Sequence, residues 1–570
     1  MFRNNHQTGG LLLVLCAAPP IALAQGSPST PEAVTTTLEQ KADGVFAAWS
    51  KGGTPGCALG VVRDGKLIHS RGFGLADVEH EVPISPATVF HVASVSKQFT
   101  AMAIYLLAQE NRLSLDDDVR KHLPELHDFG KVITIRHLLH HTSGLRDQWD
   151  LLSLAGWRLE DVITEQDILD LIWRQEELNF EPGRQHLYSN TGYTLLGVIV
   201  KRVSGKSLRE FADARMFKPL GMSHTHFQEN YWYLVKDRAF SYLPQPGGSY
   251  RGIALSYSNA GATSLFTTVE DLARWDENFY TGQVGGNDLL AQMQVKGVLN
   301  DGEQVSYASG LVLGEYRGVK TVDHAGGDAG FRTEILRFPD QHFSVITLCN
   351  AGEANAVRLA QNVADAYLEG TLAAAPAEPA RTDAKPKEVK INPDVLHAYV
   401  GDYQFRPGFI LTVSRTGPNL TTQATGQPMF TVFPASERSF FPKEFEALLT
   451  FDPPGKDKKS PAVTIRQGGR DLRATRIERV RPTAQQLQAY SGTYFSDELN
   501  TLYFVTVRGE SLFLRYPRGE LGLQPLLKDE FGTMYPVNTV KFTCAAADKC
   551  AELSVTTGRV GHLRFRKVSL

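Results

Sequence analysis

Two residues one helical turn apart, Ser94 and Lys97, have the types and spacing that most directly imply chemistry. They begin the stretch SVSKQFTAMAIYLL, which is almost wholly apolar from Phe99 onward and is typical of a helix buried on all sides. Burial disfavours the charged form of a lysine, and a neutral amine three residues from a hydroxyl can take its proton. Because the same spacing occurs on many solvated helices, it predicts a nucleophile and its base only together with other residues.

Two later segments supply such residues. EPGRQHLYSNTGYTLLGVIV carries Tyr188 and Asn190 just before an apolar helix, and DHAGGDAGF carries His324 and Gly326 beside a glycine-rich turn. Taken singly, Tyr188 is more often an aromatic that flanks a helix, Asn190 a helix cap and His324 a strand-end histidine. Only the ordered set favours a catalytic interpretation.

In this chain order, Ser-x-x-Lys, Tyr-x-Asn and His-x-Gly resemble the three motifs of the serine β-lactamase and penicillin-binding-protein superfamily. The flanking segments TIRHLLHHTSGL, KPLGM and GATSLFTTVEDLARW match that superfamily as well, so the resemblance covers about residues 35 to 368. It implies an α+β fold, in which an antiparallel sheet is joined to a helical subdomain, and a site with no metal and no cofactor.

The resemblance also implies a role for each motif residue. Ser94 would attack a carbonyl and form an acyl-enzyme, and Lys97 would take or relay its proton. Tyr188 would act as general base for acylation and as acid toward the leaving group, with its pKa lowered by Lys97. Asn190 would hold the substrate amide or the lysine.

The third motif would complete the pocket. By the same resemblance, the backbone N–H groups of Ser94 and Gly327, next to Gly326, would form the oxyanion hole that stabilises a tetrahedral intermediate. His324 would line the site and help to position Tyr188 or a substrate carboxylate.

The first residue of that motif bears on the substrate. Efficient β-lactamases of the superfamily have lysine where this chain has His324, whereas D-Ala-D-Ala carboxypeptidases, D-aminopeptidases and esterase-like members include histidine there. We therefore expect a serine hydrolase that cleaves a D-amino-acid peptide or amide, peptidoglycan-derived ones included, or a small ester. The alternatives are a penicillin-binding sensor or scaffold with little turnover, and a weak β-lactamase.

Other features do not change this expectation. His137, His140 and His141 lack the His-Glu-x-x-His pattern of a zinc site. AGGDAG lacks the Gly-Lys-Ser/Thr ending of a phosphate-binding loop. A net charge of −3 without a Lys/Arg-rich run argues against a nucleic-acid partner. The sequence leaves the oligomeric state open.

The N-terminus resembles a secretory signal over residues 1–24. Arg3 is followed by the apolar run LLLVLCAAPPIALA, which ends in a small-residue cleavage site at Ala24. The run is too short to span a bilayer, and no later segment is long and apolar enough to do so. We therefore expect a periplasmic or secreted protein.

Composition divides the remaining chain. A hydrolase domain is expected over residues 30–370, followed by an Ala/Pro-rich linker at 371–390 and two β modules at 391–480 and 481–570. The modules share the frame Leu-x-Ala-Tyr-x-Gly-x-Tyr, from Leu396 and from Leu487, and each is long enough for a small, lipocalin-like antiparallel barrel. This layout resembles D-aminopeptidase, which implies that a loop between about 500 and 570 narrows the active site; alternatively, the barrels bind a partner.

Four cysteines follow the signal segment, an even number that permits two disulfides in an exported protein. Cys544 and Cys550 are close enough in sequence to clip a hairpin. The resemblance implies that Cys57 and Cys349 are neighbours, because the first and last strands of that fold are antiparallel. Four free buried thiols are the alternative.

Overall fold

The computed structural model describes residues 37–373 without residue 51, and residues 387–569 without 407–408, 425–426, 446, 468–469, 481 and 547–548. The predicted signal segment, residues 1–24, and residues 374–386 of the predicted linker lie outside the described residues.

A six-stranded antiparallel sheet forms the centre of the N-terminal unit, which we call the catalytic unit (residues 37–373). Its first hairpin turns at Asp64-Gly65, as the sequence predicted, with left-handed φ values of 49° and 71° that suit a tight two-residue turn. In spatial order the strands are Val312–Tyr316, Val319–Asp328, Phe331–Phe338, Phe343–Cys349, Cys57–Arg63 and Lys66–Phe73.

Helices cover both faces of this sheet. Val269–Thr281 packs against strands Cys57–Arg63 and Phe343–Cys349, whereas Leu38–Val45 and Ala356–Tyr367 enclose a separate apolar cluster with the sheet. The other α-helices of the unit are Ser96–Gln109, Ile135–Leu139, Gln148–Ala155, Glu165–Trp173, Asn190–Ser204, Leu208–Ala212, Lys218–Leu220 and Asn287–Met293. A π-helical turn spans Asp213–Phe217, and 3₁₀ turns span Ala47–Trp49, Ala93–Val95, Val119–Lys121 and Pro339–Gln341.

The helix Ser96–Gln109, here called the serine helix, is the buried centre of the helical subdomain. Every residue from Ser96 to Leu107 is buried, as its uniformly apolar sequence predicted. It packs against Asn190–Ser204, Leu208–Ala212 and Asn287–Met293. The residues at its first turn are therefore held by packing on all sides.

Short strand pairs shape the rim of the catalytic unit. The three-stranded set Phe90–His91, Leu265–Thr267 and His226–Phe227 lies beside the first turn of the serine helix. The remaining pairs are Leu75–Asp77 with Val82–Pro83, Ser241–Pro244 with Tyr250–Ile253, and Ile163–Thr164 with Tyr257–Ser258.

Two closed eight-stranded antiparallel barrels follow, which confirms the predicted α+β fold with two C-terminal β modules. The first barrel, preceded by a 3₁₀ segment at Pro393–Ala398, has the strands Gly401–Arg406, Phe409–Thr416, Asn419–Ala424, Met429–Pro434, Ser439–Pro442, Leu448–Phe451, Ala462–Gln467 and Arg470–Ile477. The second, preceded by the helix Ala484–Gln488, has the strands Gly492–Ser496, Thr501–Arg508, Ser511–Tyr516, Gly519–Leu527, Glu530–Gly532, Thr539–Ala546, Lys549–Thr556 and Leu563–Val568.

The repeated frame has the same structural use in both barrels. The buried hydroxyl of Tyr403 donates to the carbonyl of Tyr399, and that of Tyr494 donates to the carbonyl of Tyr490. The frame's glycine has a positive φ in both barrels, 148° at Gly401 and 149° at Gly492, a backbone conformation that residues with a Cβ rarely adopt.

Both cysteine pairs that the sequence left open are disulfides. Cys57 and Cys349 face each other in register on adjacent strands of the central sheet. Cys544 and Cys550 join the hairpin of strands Thr539–Ala546 and Lys549–Thr556. None of the described helices is long and apolar enough to cross a membrane.

Candidate active site

The predicted nucleophile, Ser94, lies in the 3₁₀ turn that precedes the serine helix. Ala93 has a left-handed φ of 49°, a conformation that is unfavourable for a residue with a Cβ and recurs at functional sites. The hydroxyl of Ser96 stabilises the turn, since it donates to the carbonyl of Ala93 and accepts from the backbone N–H of Leu265. Ser94 itself is half-buried, so its hydroxyl remains accessible to a substrate.

Lys97 is fully buried and its Nζ lies 3.1 Å from Ser94 Oγ. The same nitrogen donates to Asn190 Oδ1 at 2.9 Å and to the carbonyl of Ala262 at 2.7 Å. A neutral amine has two N–H bonds and one lone pair. Since the two acceptors engage both N–H bonds, the lone pair of a neutral Lys97 is directed at the hydroxyl of Ser94.

Burial lowers the pKa of Lys97 to about 7, which confirms the direction expected from a lysine in a dry pocket. The negative charge of Asp147 opposes this shift, the positive charge of Arg559 supports it, and Asp328 opposes it. A substantial fraction of Lys97 is therefore neutral at pH 7.

Asn190 connects Lys97 to a buried carboxylate. It is the first residue of the helix Asn190–Ser204, and its Nδ2 and backbone N–H donate to Asp147 Oδ2 at 2.8 and 2.7 Å. The side chain of Asp147 also caps the helix Gln148–Ala155 through the N–H of Trp149. These donors fix the amide orientation of Asn190, so that its oxygen faces Lys97.

Arg559, from the second barrel, completes this chain of contacts. Its guanidinium lies 3.2 Å from Asp147 Oδ2, and its CZ atom is 5.8 Å from the ring centroid of Tyr188. Its backbone is held as well, because its N–H donates to Asp150 and its carbonyl accepts from Asn179. A barrel loop within the predicted range 500–570 therefore reaches the site.

Tyr188 lies over the lysine, with its ring centroid 4.8 Å from Lys97 Nζ. Its hydroxyl is buried and makes no hydrogen bond to any described residue. The expectation that Lys97 lowers the pKa of Tyr188 was wrong: burial raises that pKa, and the nearby Ser94 hydroxyl opposes the rise only in part. Because the desolvation of the phenolate dominates, Tyr188 is a neutral phenol.

His324 is buried, and both of its ring nitrogens are engaged. One lies 2.7 Å from the carbonyl of Ala325 and the other 2.9 Å from the hydroxyl of Tyr307. Burial lowers the pKa of His324 to about 3, with a further decrease from Lys97, so the ring is neutral. It therefore lacks both the charge and the free donor that would position a substrate carboxylate, and its contact is to Tyr307 rather than to the hydroxyl of Tyr188.

The glycines of the third motif lie where the strand Val319–Asp328 passes the serine turn. A Cβ on Gly326 would lie 2.4 Å from the carbonyl oxygen of Val92 and 3.2 Å from the Cβ of Ala93, so a side chain does not fit there. Gly327 is exposed on the opposite face. On its outer edge, the strand Val319–Asp328 pairs with Val312–Tyr316, and this pairing stops at Asp323. Among the described strands, none pairs with that edge beside Gly327, so its backbone groups are available to a substrate.

Four contacts of this site were missed by sequence reasoning: the carboxylate of Asp147, the carbonyl of Ala262, the hydroxyl of Tyr307 and the guanidinium of Arg559. Asp147 lies only two residues beyond the quoted flank TIRHLLHHTSGL, so its position could have been considered. Arg559 follows Ser94 by more than 460 residues in a different domain, and no local pattern connects the two.

The clustered histidines have packing roles. His141 packs against the ring of Tyr188, with ring centroids 4.2 Å apart and planes tilted by 38°, and accepts a hydrogen bond from the N–H of Ser189. His137 caps the helix Ile135–Leu139, and His140 is buried. Within the described ranges, no group of three or more His, Cys, Asp or Glu residues is arranged to hold a metal ion.

Comparison with known proteins agrees with this arrangement. The sequence profile of the family described as Beta-lactamase matches residues 35–368. Penicillin-binding protein 4* of Bacillus subtilis (strain 168) is 30% identical to this chain over 409 residues, which make up 68% of this chain and 88% of that protein.

Solved structures share the fold. The octameric penicillin-binding protein homologue from Pyrococcus abyssi has a TM-score of 0.55 at 22% identity and covers 85% of this chain and 99% of its own. The D-amino acid amidase from Ochrobactrum anthropi SV3, complexed with L-phenylalanine amide, has a TM-score of 0.51 at 23% identity and covers 59% of this chain and 99% of its own.

Proposed function

Because the chain belongs to the beta-lactamase family, we propose that it is a serine hydrolase that forms an acyl-enzyme on Ser94 and cleaves an amide or ester bond. The observation that carries this proposal is the environment of Lys97. Its Nζ is 3.1 Å from Ser94 Oγ, and burial lowers its pKa to about 7. A base of that pKa is well matched to proton transfer at neutral pH.

Acylation begins when the lone pair of neutral Lys97 takes the proton of Ser94. The serine oxygen then attacks the substrate carbonyl carbon, and the negative charge moves to the carbonyl oxygen. The backbone N–H groups of Ser94 and Gly327 stabilise that oxyanion, because their dipoles are fixed before the charge develops.

Collapse of the tetrahedral intermediate requires a proton on the leaving group. Tyr188, a neutral phenol above Lys97, is suited to pass a proton from the lysine ammonium to the departing nitrogen or oxygen. This assigns Tyr188 to the acid step and Lys97 to the base step. A water molecule then attacks the acyl-enzyme, with Lys97 as base, and releases Ser94.

The substrate we propose is a short D-amino-acid peptide or amide, peptidoglycan-derived ones included, or a small ester. The loop that carries Arg559 lies against Asp147 and Tyr188, which supports a site narrowed on one side. The D-amino acid amidase from Ochrobactrum anthropi SV3 has the same fold, which supports an amide of this kind as the substrate. We also propose export to the periplasm or the medium, with cleavage after Ala24; N-terminal sequencing of the protein from culture fractions tests it.

The proposal is tested with a panel of D-amino-acid amides, D-Ala-D-Ala peptides, p-nitrophenyl esters and a chromogenic cephalosporin, with Ser94→Ala as the blank. We expect kcat to fall at least about 1000-fold in Ser94→Ala, while its circular dichroism stays unchanged. Unaltered turnover in that variant contradicts the mechanism. Stable labelling by a fluorescent penicillin without turnover of any panel member favours a sensor or scaffold instead.

A further inference from the structure

Asp328, the last residue of the third-motif strand, lies just beyond the proposed oxyanion site. Side chains alternate along a strand, so His324, Gly326 and Asp328 share one face. The space that a side chain on Gly326 would need is filled by the serine turn, which fixes the direction of that face. Asp328 therefore extends from the strand toward the nucleophile side, about 7 Å along the strand from Gly326.

The carboxylate of Asp328 is oriented by neutral groups. Its Oδ2 accepts from the hydroxyl of Tyr257 and, at 3.1 Å, from the hydroxyl of Thr263. His91 lies 3.9 Å from the same oxygen, but burial lowers the pKa of His91 to about 4, so this ring is neutral. In the part of the chain that the structure describes, no lysine or arginine forms an ion pair with Asp328.

The second carboxylate oxygen is free. No described residue donates a hydrogen bond to Asp328 Oδ1, and the side chain retains 18% of its exposure. One free carboxylate oxygen supplies too few ligands for a metal ion, but it matches a single N–H donor of an ammonium group. An oriented carboxylate without a cationic partner is therefore available beside the nucleophile.

Asp328 also lines a cavity of about 420 Å³ between the catalytic unit and the second barrel, which we call the interdomain cavity. Apolar and aromatic side chains predominate in its wall, among them Trp157, Leu243, Leu255, Tyr257, Tyr516 and Tyr535. A concave apolar site with one fixed polar group is the usual form of a small-molecule pocket.

The other charges at this cavity are largely paired. Arg158 is 2.7 Å from Asp161, and Arg251 is 3.2 Å from Glu160. The pKa of Asp161 is lowered, mainly by hydrogen bonds from Arg158 and to a smaller extent by the positive charge of Arg518 from the second barrel. Arg518 therefore lies near an acidic group. Of the carboxylates that line this cavity, Glu160 pairs with Arg251, whereas Asp328 has no lysine or arginine partner among the described residues.

We propose that Asp328 binds the protonated α-amino group of the substrate, and that the interdomain cavity receives an aromatic or large aliphatic side chain on the same carbon. The substrate is then an amide or short peptide cleaved after an N-terminal residue with a free amine. This inference rests on the proposed acylation of Ser94, because it places the attacked carbonyl at the backbone N–H of Gly327.

The test uses the full-length protein and two matched substrates, D-phenylalanine p-nitroanilide and its N-acetyl derivative, measured alongside the L enantiomers. Acetylation removes the positive charge and adds bulk at the position of Asp328. We expect kcat/KM of the wild-type protein to be at least about 100-fold higher for the free amine, because a charge-assisted hydrogen bond is lost on acetylation.

In Asp328→Asn, kcat/KM for the free amine should fall about 30-fold to 100-fold, with most of the change in KM, and the preference over the N-acetyl substrate should collapse. The matched control is Asp340→Asn, an exposed aspartate at the opposite end of the neighbouring strand Phe331–Phe338, which should keep the wild-type preference. Circular dichroism and thermal unfolding establish that both variants fold.

Equal kcat/KM for the free and acetylated substrates in the wild-type protein overturns the inference, as does an unchanged preference in Asp328→Asn. Faster cleavage of an N-succinyl derivative also overturns it and indicates that Arg518 binds a carboxylate instead. If p-nitrophenyl acetate and both anilides are cleaved equally by wild-type protein and Ser94→Ala, the proposed function fails, and this inference fails with it. If turnover is lost in Ser94→Ala but kcat/KM is the same for the free-amine and N-acetyl substrates, the amine site is refuted and the proposed function stands.

Discussion

The two barrels share a repeated frame and a strand plan, but they differ in what their cores contact. The buried residues of the first barrel form an apolar cluster of their own. Those of the second belong to the same continuous cluster as the helical subdomain around the serine helix. One barrel is therefore packed as an independent module, whereas the other is part of the catalytic core.

Polar contacts of the second barrel with the catalytic unit come from three loops at one end of the barrel. Glu498 pairs with Arg146, Tyr535 donates to Ser153, and Arg559 pairs with Asp147. In an up-and-down barrel, alternate loops lie at the same end, and these three follow the first, fifth and seventh strands. The comparison teaches that two copies of one scaffold can differ in function when the loops and core of only one copy pack against a neighbouring domain.

The largest effect is expected when the ion pair between Arg146 of the catalytic unit and Glu498 of the second barrel is removed. In Glu498→Ala, the fully buried guanidinium of Arg146 loses the closer of its two carboxylate partners and keeps only Glu177, at 3.7 Å. We expect the catalytic unit to lose about 3 kcal/mol of stability. Urea unfolding followed by tryptophan fluorescence measures it, because all six tryptophans lie in the catalytic unit. The first-barrel control Asp452→Ala removes an exposed pair with Arg473 and should leave the midpoint unchanged. Equal unfolding midpoints for the two variants would contradict the expectation that Glu498 holds the second barrel against the catalytic unit.

The next effect concerns pH. In Arg559→Ala, Asp147 loses its counter-charge and favours the protonated form of Lys97, as does Asp328, so the pKa of Lys97 rises from about 7. In the proposed mechanism, acylation requires neutral Lys97, so activity is lost as pH falls through that pKa and the acid limb of the pH profile should move to higher pH. We expect kcat/KM to decrease about tenfold at pH 6 and much less at pH 9.

Arg564→Ala is the matched control for this pH dependence, since Arg564 lies on the adjacent strand and pairs with Glu177. Its acid limb should coincide with that of the wild-type protein. A loss in Arg559→Ala that is equal at pH 6 and pH 9 would mean that Arg559 acts only on structure.

A smaller effect is expected at the position where the two repeats diverge. In the register of each barrel, Leu411 of the first corresponds to Tyr503 of the second, whose hydroxyl donates to the carbonyl of Leu154 at 2.8 Å. Tyr503→Phe leaves that carbonyl without its partner and should destabilise the catalytic unit by about 1 kcal/mol. Tryptophan fluorescence in urea measures the change; an unaltered midpoint would show that apolar packing alone holds the barrel.

The smallest expected difference is between the two shared tyrosines. Tyr403→Phe and Tyr494→Phe each remove the hydrogen bond to the carbonyl four residues earlier, which should cost each barrel about 1 kcal/mol. Tyr403→Phe also removes the hydrogen bond that the guanidinium of Arg476 donates to this hydroxyl, so the first barrel should lose slightly more. Differential scanning calorimetry of the two variants should give losses that agree within about 1 kcal/mol. A much larger loss of stability in Tyr494→Phe would show that Tyr494 stabilises the packing of the second barrel against the catalytic unit, and not only the barrel itself.

The sequence by itself determined the local parts of this protein. The apolar run after Lys97 specified a buried helix, the Asp64-Gly65 turn a hairpin, and the repeated tyrosine and glycine frame two β modules, because each depends on contacts within a few residues. Ser94 and Lys97 were accessible to prediction for the same reason, since three residues of helix bring them together.

Only the tertiary structure decided the protonation of the site and its boundary. Burial favours the neutral form of each group, so it lowers the pKa of Lys97 and raises that of Tyr188; the expectation for Lys97 was therefore right and that for Tyr188 was wrong. The contacts of Asp147 with Arg559, and of Asp328 with the interdomain cavity, join residues from separate segments. Local pattern contains no information on such pairs, because they arise from the packing of one domain against another.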